Sequence, residues 1–101
     1  MTWLQALKDY QHFLKIERGL SKNSIKSYSY DVEKLMKFLD TNSLKSSPLK
    51  IDATLTKAFV YEVAKHMNER SQARLISGLK SFFNYLVFED YRETNPVDLI
   101  E

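Results

Sequence analysis

Between residues 22 and 41 the side chains Ile25, Tyr28, Val32, Leu35, Met36 and Leu39 recur at spacings of three and four. The rest of the chain has to accommodate that pattern. It gathers six large apolar groups on one stripe of an α-helix, and such a helix is stable only where neighbouring elements cover the stripe. Just upstream, Gly19 can take the left-handed backbone conformation that closes a helix, and Ser21 can accept a hydrogen bond from an orphan amide of the next one. A helix, a sharp corner and a second helix therefore follow in order.

The same period recurs along the chain. A first helix is expected from about Thr2 to Arg18, with Trp3, Leu7, Tyr10 and Leu14 on its apolar face and Leu4, Phe13 and Ile16 widening it. The second runs from Lys22 to Thr41. Residues 42–51 contain Ser43, Ser46, Ser47 and Pro48 without a sustained period and read as a loop. Asp52 is the expected cap of a third helix carrying Leu55, Phe59, Val63 and Met67. A fourth, beginning near Ser71 and reaching Phe88, places Leu75, Ile76, Leu79, Phe82, Phe83 and Leu86 inside. Its last turn also resembles a buried strand, but the upstream period and the lack of a partner strand decide for helix. Asp90 to Asn95 reads as a turn, Pro96 stops continuation, and Val97 to Glu101 reads as a linker or a short terminal helix. With two glycines and two prolines in 101 residues, the expected class is all-α, a bundle of four helices. Gly78 costs about 1 kcal/mol relative to alanine in a helix interior. Close helix–helix packing and close approach to DNA are the two reasons to keep it there.

Composition narrows the function. There is no cysteine, which excludes disulfides and thiolate metal sites. No apolar run approaches the roughly 20 residues that span a bilayer, and the start Met-Thr-Trp-Leu-Gln lacks a signal peptide's pattern. A soluble, intracellular domain without a membrane partner is expected. The net charge of +2 is modest, but it is unevenly spread. Residues 15–30 carry Lys15, Arg18, Lys22 and Lys26 against Glu17, and residues 66–80 carry Arg70, Arg74 and Lys80 against Glu69. Residues 81–101 hold Glu89, Asp90, Glu93, Asp98 and Glu101 against Arg92. Two basic blocks that open helices and an acidic tail suit a molecule with one nucleic-acid-facing side.

No catalytic constellation is visible. His12 and His66 are far apart and lack metal-ligand spacing, and the two glycines form no phosphate loop. Tyr10, Tyr28 and Tyr85 fall on apolar stripes and read as core, while Tyr30, Tyr61 and Tyr91 lack surrounding arginines and histidines. No catalytic residue, metal or cofactor is expected.

Three blocks in order carry a resemblance. Glu17-Arg18-Gly19-Leu20-Ser21, then Asn23-Ser24, an aliphatic and Tyr28, resembles the opening of the core-binding domain of tyrosine recombinases, the phage-integrase and Xer-type enzymes. Arg70 to Leu86 is similar to that family's Ser-x-x-Arg-x-Leu segment ending in an aromatic-rich Tyr-Leu, and Asn95-Pro96 matches the dipeptide that closes the domain. The resemblance implies a SAM-like bundle over residues 1–96, with 97–101 beginning a linker to a C-terminal catalytic domain. That domain supplies the family's nucleophilic tyrosine, and without it the chain is expected to be unable to transfer strands. The implied partners are double-stranded DNA and other recombinase protomers in a synaptic complex, and the implied location is the cytoplasm.

In the family the second and fourth helices face adjacent major grooves. Carried over by motif, the DNA-binding candidates are Lys22, Asn23, Ser24, Lys26 and Ser27 on the second helix, and Arg70, Ser71, Gln72, Arg74, Ser77 and Lys80 on the fourth. Lysine and serine suit phosphate, whereas Asn23, Gln72 and Arg74 have the geometry to read base edges. Ordinary roles stand beside these. Ser21 is a cap with or without DNA, Lys22 and Lys26 suit a solvated face, Asn23 suits a bond to the turn, and Arg74 suits a pair with Glu69 or Glu17. Two departures from the family are Ser29, where arginine often follows the tyrosine, and a short connection between helices three and four. The competing function is a helical protein-interaction module, docking a partner through the first helix or the aromatic end of the fourth.

Overall fold

Residues 1–100 are described by a computed structural model, in which helices and connecting turns account for all regular structure. The chain divides into two units, Met1–Pro48 and a second beginning at Leu49. Each contains one packed pair of helices.

In the first unit, α1 spans Trp3–Ile16 and α2 spans Lys22–Thr41. Thr2 is the cap of α1 rather than its first residue. Its hydroxyl accepts from the Gln5 amide at 3.1 Å while the Gln5 carboxamide accepts from the Thr2 amide at 2.8 Å, so two orphan donors are satisfied reciprocally. The helix ends at Ile16, two residues earlier than expected. Gly19 takes φ +61° and the Leu20 amide donates to the Leu14 carbonyl at 3.0 Å, turning the chain toward α2. The buried face of α1 is narrower than the pattern suggested: Ala6, Leu7, Tyr10 and Leu14 are buried, but Leu4 and Ile16 are 56% and 60% exposed. At 100° per residue both lie more than a quarter-turn from the centre of the buried arc.

α2 follows its expected bounds. Val32, Leu35 and Leu39 are buried, and each stabilises the fold by about 1.5–3 kcal/mol relative to an exposed side chain. Ile25, Tyr28 and Met36 are half-buried along the edges. The Trp3 indole donates to the Ser46 carbonyl at 2.7 Å and fastens the loop after α2 to the start of α1.

In the second unit, α3 spans Ala53–Ala64 and α4 spans Glu69–Phe88. Asp52 caps α3 as expected, accepting from the Leu55 amide at 2.9 Å. Met67 lies beyond the end of α3 in a four-residue turn, and Thr56 and Val60 join Phe59 as its buried residues. α4 begins two residues before the expected start. Asn68 accepts from the Ser71 amide at 2.8 Å, so Ser71 lies in the first turn and the cap is upstream of it. All six apolar residues assigned to α4 are buried, with Gly78 and Tyr85 beside them.

The segment after α4 folds back onto its own unit. The Arg92 guanidinium donates to the Ile51 carbonyl at 2.9 Å and lies 5.4 Å from the Phe83 ring centre. Burial lowers its pKa from the ordinary arginine value. Asn95 donates to the Lys80 carbonyl at 3.1 Å and to Asn84 at 2.8 Å, and accepts from the Val97 amide at 3.0 Å. The Thr56 hydroxyl reaches the Pro96 carbonyl at 3.2 Å, and Val97 and Ile100 are buried. Among the described residues no helix is long and apolar enough to cross a membrane.

Candidate nucleic-acid interface

The first turn of α2 is held open by its cap. Ser21 accepts from the Ser24 amide at 3.2 Å, and its hydroxyl donates to Ser24 Oγ at 3.1 Å. The amides of Lys22 and Asn23 lie in the first turn, where no intrahelical acceptor exists. Around them Lys22, Asn23, Lys26 and Ser27 are exposed, Ser24 is half-buried, and the first turn holds no acidic side chain. Orphan amides, the positive end of the helix dipole and two lysines one turn apart together form an environment that attracts anions. Among the described residues no hydrogen bond or ion pair engages the side chains of Lys22, Asn23, Lys26 or Ser27. Asn23 therefore does not bond the turn.

The first turn of α4 is built alike and committed differently. Arg70, Ser71, Arg74 and Ser77 are exposed, and Lys80 is half-buried. Glu69 stands in the same turn, where it favours the helix dipole but opposes an incoming anion. Gln72 donates to the Ala64 carbonyl at 3.2 Å and the Met67 carbonyl at 2.9 Å. Its amide nitrogen thus satisfies carbonyls at the end of α3 rather than facing solvent. The backbone carbonyl of Lys80 accepts from Asn95.

Ser29 is buried, donates to the Ile25 carbonyl at 2.7 Å and accepts from Gln11 at 2.9 Å, joining α1 to α2. Serine suits this inward position, where its hydroxyl is matched by both a donor and an acceptor. His12 and His66 are both exposed, and the described residues include no group of three or more side chains able to hold a metal. Tyr10 and Tyr85 are buried, Tyr28 is half-buried, and Tyr30, Tyr61 and Tyr91 are exposed. Two further lysines lie along α2, the half-buried Lys34 and the exposed Lys37, eight and eleven residues beyond Lys26 and so on the same face.

Residues 7–90 match a protein family described as phage integrase, N-terminal SAM-like domain. Among curated proteins, the chain is similar to the tyrosine recombinase XerD of Listeria innocua, 33% identical over 96 residues, which cover 94% of this chain and 32% of that protein. It is also similar to the tyrosine recombinase XerC of Leptospira interrogans, 31% identical over 93 residues, covering 91% of this chain and 30% of the relative. The XerC of Pediococcus pentosaceus is 26% identical over 99 residues, covering 97% and 33%. The chain thus spans about a third of the length of the curated relatives it matches. No solved structure matches it significantly.

Proposed function

This chain belongs to the phage-integrase N-terminal SAM-like domain family, and on that premise we propose that it is the DNA-binding part of a site-specific tyrosine recombinase acting in the cytoplasm. The leading turns of α2 and α4 contact the phosphate backbone of double-stranded DNA, with Lys22, Lys26, Arg70 and Arg74 as the principal cations. Asn23, Ser24, Ser27, Ser71, Gln72 and Lys80 complete the contact set, with Gln72 acting mainly by fixing the α3–α4 turn. Strand cutting and joining belong to a catalytic domain elsewhere in the parent protein. Other recombinase protomers are the expected protein partners.

The observation that carries this reading is the exposed, acid-free first turn of α2, with two lysines beside orphan amides. A contact of this kind is governed by counterion release. The 101-residue chain should bind a fluorescent DNA duplex with a Kd of about 10⁻⁴ to 10⁻⁶ M, and log K should fall linearly with log salt. A flat salt response in an anisotropy titration would overturn the reading.

A protein-interaction role is favoured by one separate feature. Phe88 is 75% exposed and Leu99 is 91% exposed, close to the acidic residues Glu89, Asp90, Glu93 and Asp98. Sedimentation of the chain without DNA tests it; an oligomer would support this second role.

A further inference from the structure

The chain does not trail away after α4; it is fastened to both helices of its unit. Asp90 takes φ +61°, and the Tyr91 amide donates to the Leu86 carbonyl at 2.9 Å, which turns the chain back. Arg92 then bonds the Ile51 carbonyl just ahead of α3, and the Thr56 hydroxyl within α3 reaches the Pro96 carbonyl at 3.2 Å. On the other side the Asn95 carboxamide gives both amide hydrogens to α4, at the Lys80 carbonyl and at Asn84 Oδ1, one turn apart. Its oxygen accepts from the Val97 amide at 3.0 Å and so shapes the turn that follows. Val97 is fully buried and Ile100 is 8% exposed, whereas Leu99 between them is 91% exposed.

Resting on the reading above, we infer that residues 91–100 form a strap and that Asn95 is its positioning residue. By tying the strap to α4, Asn95 fixes the place and direction in which the chain leaves the domain, relative to the helix whose first turn carries Arg70 and Arg74. A catalytic domain joined beyond the strap then starts from a set point beside the proposed phosphate contact. The physical gain lies in the spread that is prevented. A flexible coil of about ten residues has an r.m.s. end-to-end distance of about 17 Å, whereas a misplacement of about 1 Å at a reacting centre already slows chemistry. Asn95 suits the task because a carboxamide donates twice and accepts from one rigid plane, so a single side chain holds two points of α4 and orders the turn at Val97. Burial of Val97 and Ile100 anchors the far end through apolar contact, which has no preferred direction; the bonds of Asn95 supply the direction.

The test measures distances between spin labels. The chain has no cysteine, so labels attach only at introduced sites. One pair joins the strap to α4, Leu99→Cys with Ala73→Cys; a control pair joins α3 to α4, Lys57→Cys with Ala73→Cys. Leu99, Ala73 and Lys57 are all exposed. The strap pair should give a single distribution as narrow as that of the control pair. Asn95→Ala should widen the strap distribution about twofold or more, as a released coil requires, and leave the control pair and the salt slope of duplex binding unchanged. Asn84→Ala, an exposed change that leaves the core intact, should widen it less, because the bond from Asn95 to the Lys80 carbonyl persists. A broad strap distribution in the parent chain would overturn the proposal. An unchanged width in Asn95→Ala would overturn the role of Asn95, and so would a control pair that widens with it, since the residue would then hold the helices rather than the exit. A salt slope lost in Asn95→Ala would overturn it as well, by placing Asn95 in the DNA contact. None of these distances depends on DNA, so a flat slope in the parent chain would overturn the proposed function while the strap is judged separately.

Discussion

The first turns of α2 and α4 look alike in sequence and differ in what their side chains are free to do. Each follows a polar cap, Ser21 or Asn68, that accepts from the amide three residues on, and each carries two cations four residues apart. Around α2 no acid lies in the first turn, and the polar neighbours Asn23 and Ser27 are uncommitted. Around α4 an acid sits in the same turn and Gln72 is bonded to the end of α3. One start leaves the side chains of Asn23 and Ser27 uncommitted, while the other divides its polar groups between solvent and its own fold. Two capped, basic helix starts can thus look the same in sequence and differ in which of their polar groups are left free.

Charge reversal breaks the comparison most sharply. Lys22→Glu/Lys26→Glu should weaken duplex binding by at least about 60-fold near 0.1 M salt, the polyelectrolyte contribution of two phosphate contacts. Arg70→Glu/Arg74→Glu should cost about tenfold, because Glu69 already offsets part of that site. Equal losses would mean that the acid and the internal bonds of α4 have no effect on binding. Gln72→Ala should act on folding instead. Removing its two bonds leaves carbonyls of the α3–α4 turn without their donor, costing about 1–3 kcal/mol and lowering Tm by several degrees with an unchanged salt slope. An unaltered melt together with lost DNA affinity would make Gln72 a DNA-reading residue. The smallest effects belong to the caps. Ser21→Ala and Asn68→Ala should each cost about 1 kcal/mol in denaturant unfolding. A much larger loss at Asn68 would show that the turn before α4 depends on its cap in a way the corner before α2 does not.

Much of the fold was legible because the relevant signals lie within a few residues of one another. The stripe from Ile25 to Leu39 set α2, and Ser21 and Asp52 announced their helices because a cap and the amide it serves are three residues apart. The start of α4 was placed near Ser71, two residues late, because its true cap, Asn68, was not recognised from the sequence. Leu4 and Ile16 were assigned to the core because an apolar residue one position off a stripe reads much like one on it. The burial of Thr56 had no signal in the pattern, since threonine suits a surface equally well until a distant carbonyl comes within reach.

The candidate site divides in the same way. Its cations, the capped start of α2 and its family could be read from the chain alone, because charge, cap chemistry and motif are properties of short segments. The commitments of Gln72, Ser29, Arg92 and Thr56 were decided only by tertiary structure, through partners 8, 18, 41 and 40 residues away. A sequence displays every donor and acceptor it has; folding brings distant backbone carbonyls within about 3 Å of some of them, and only the remainder can meet another molecule.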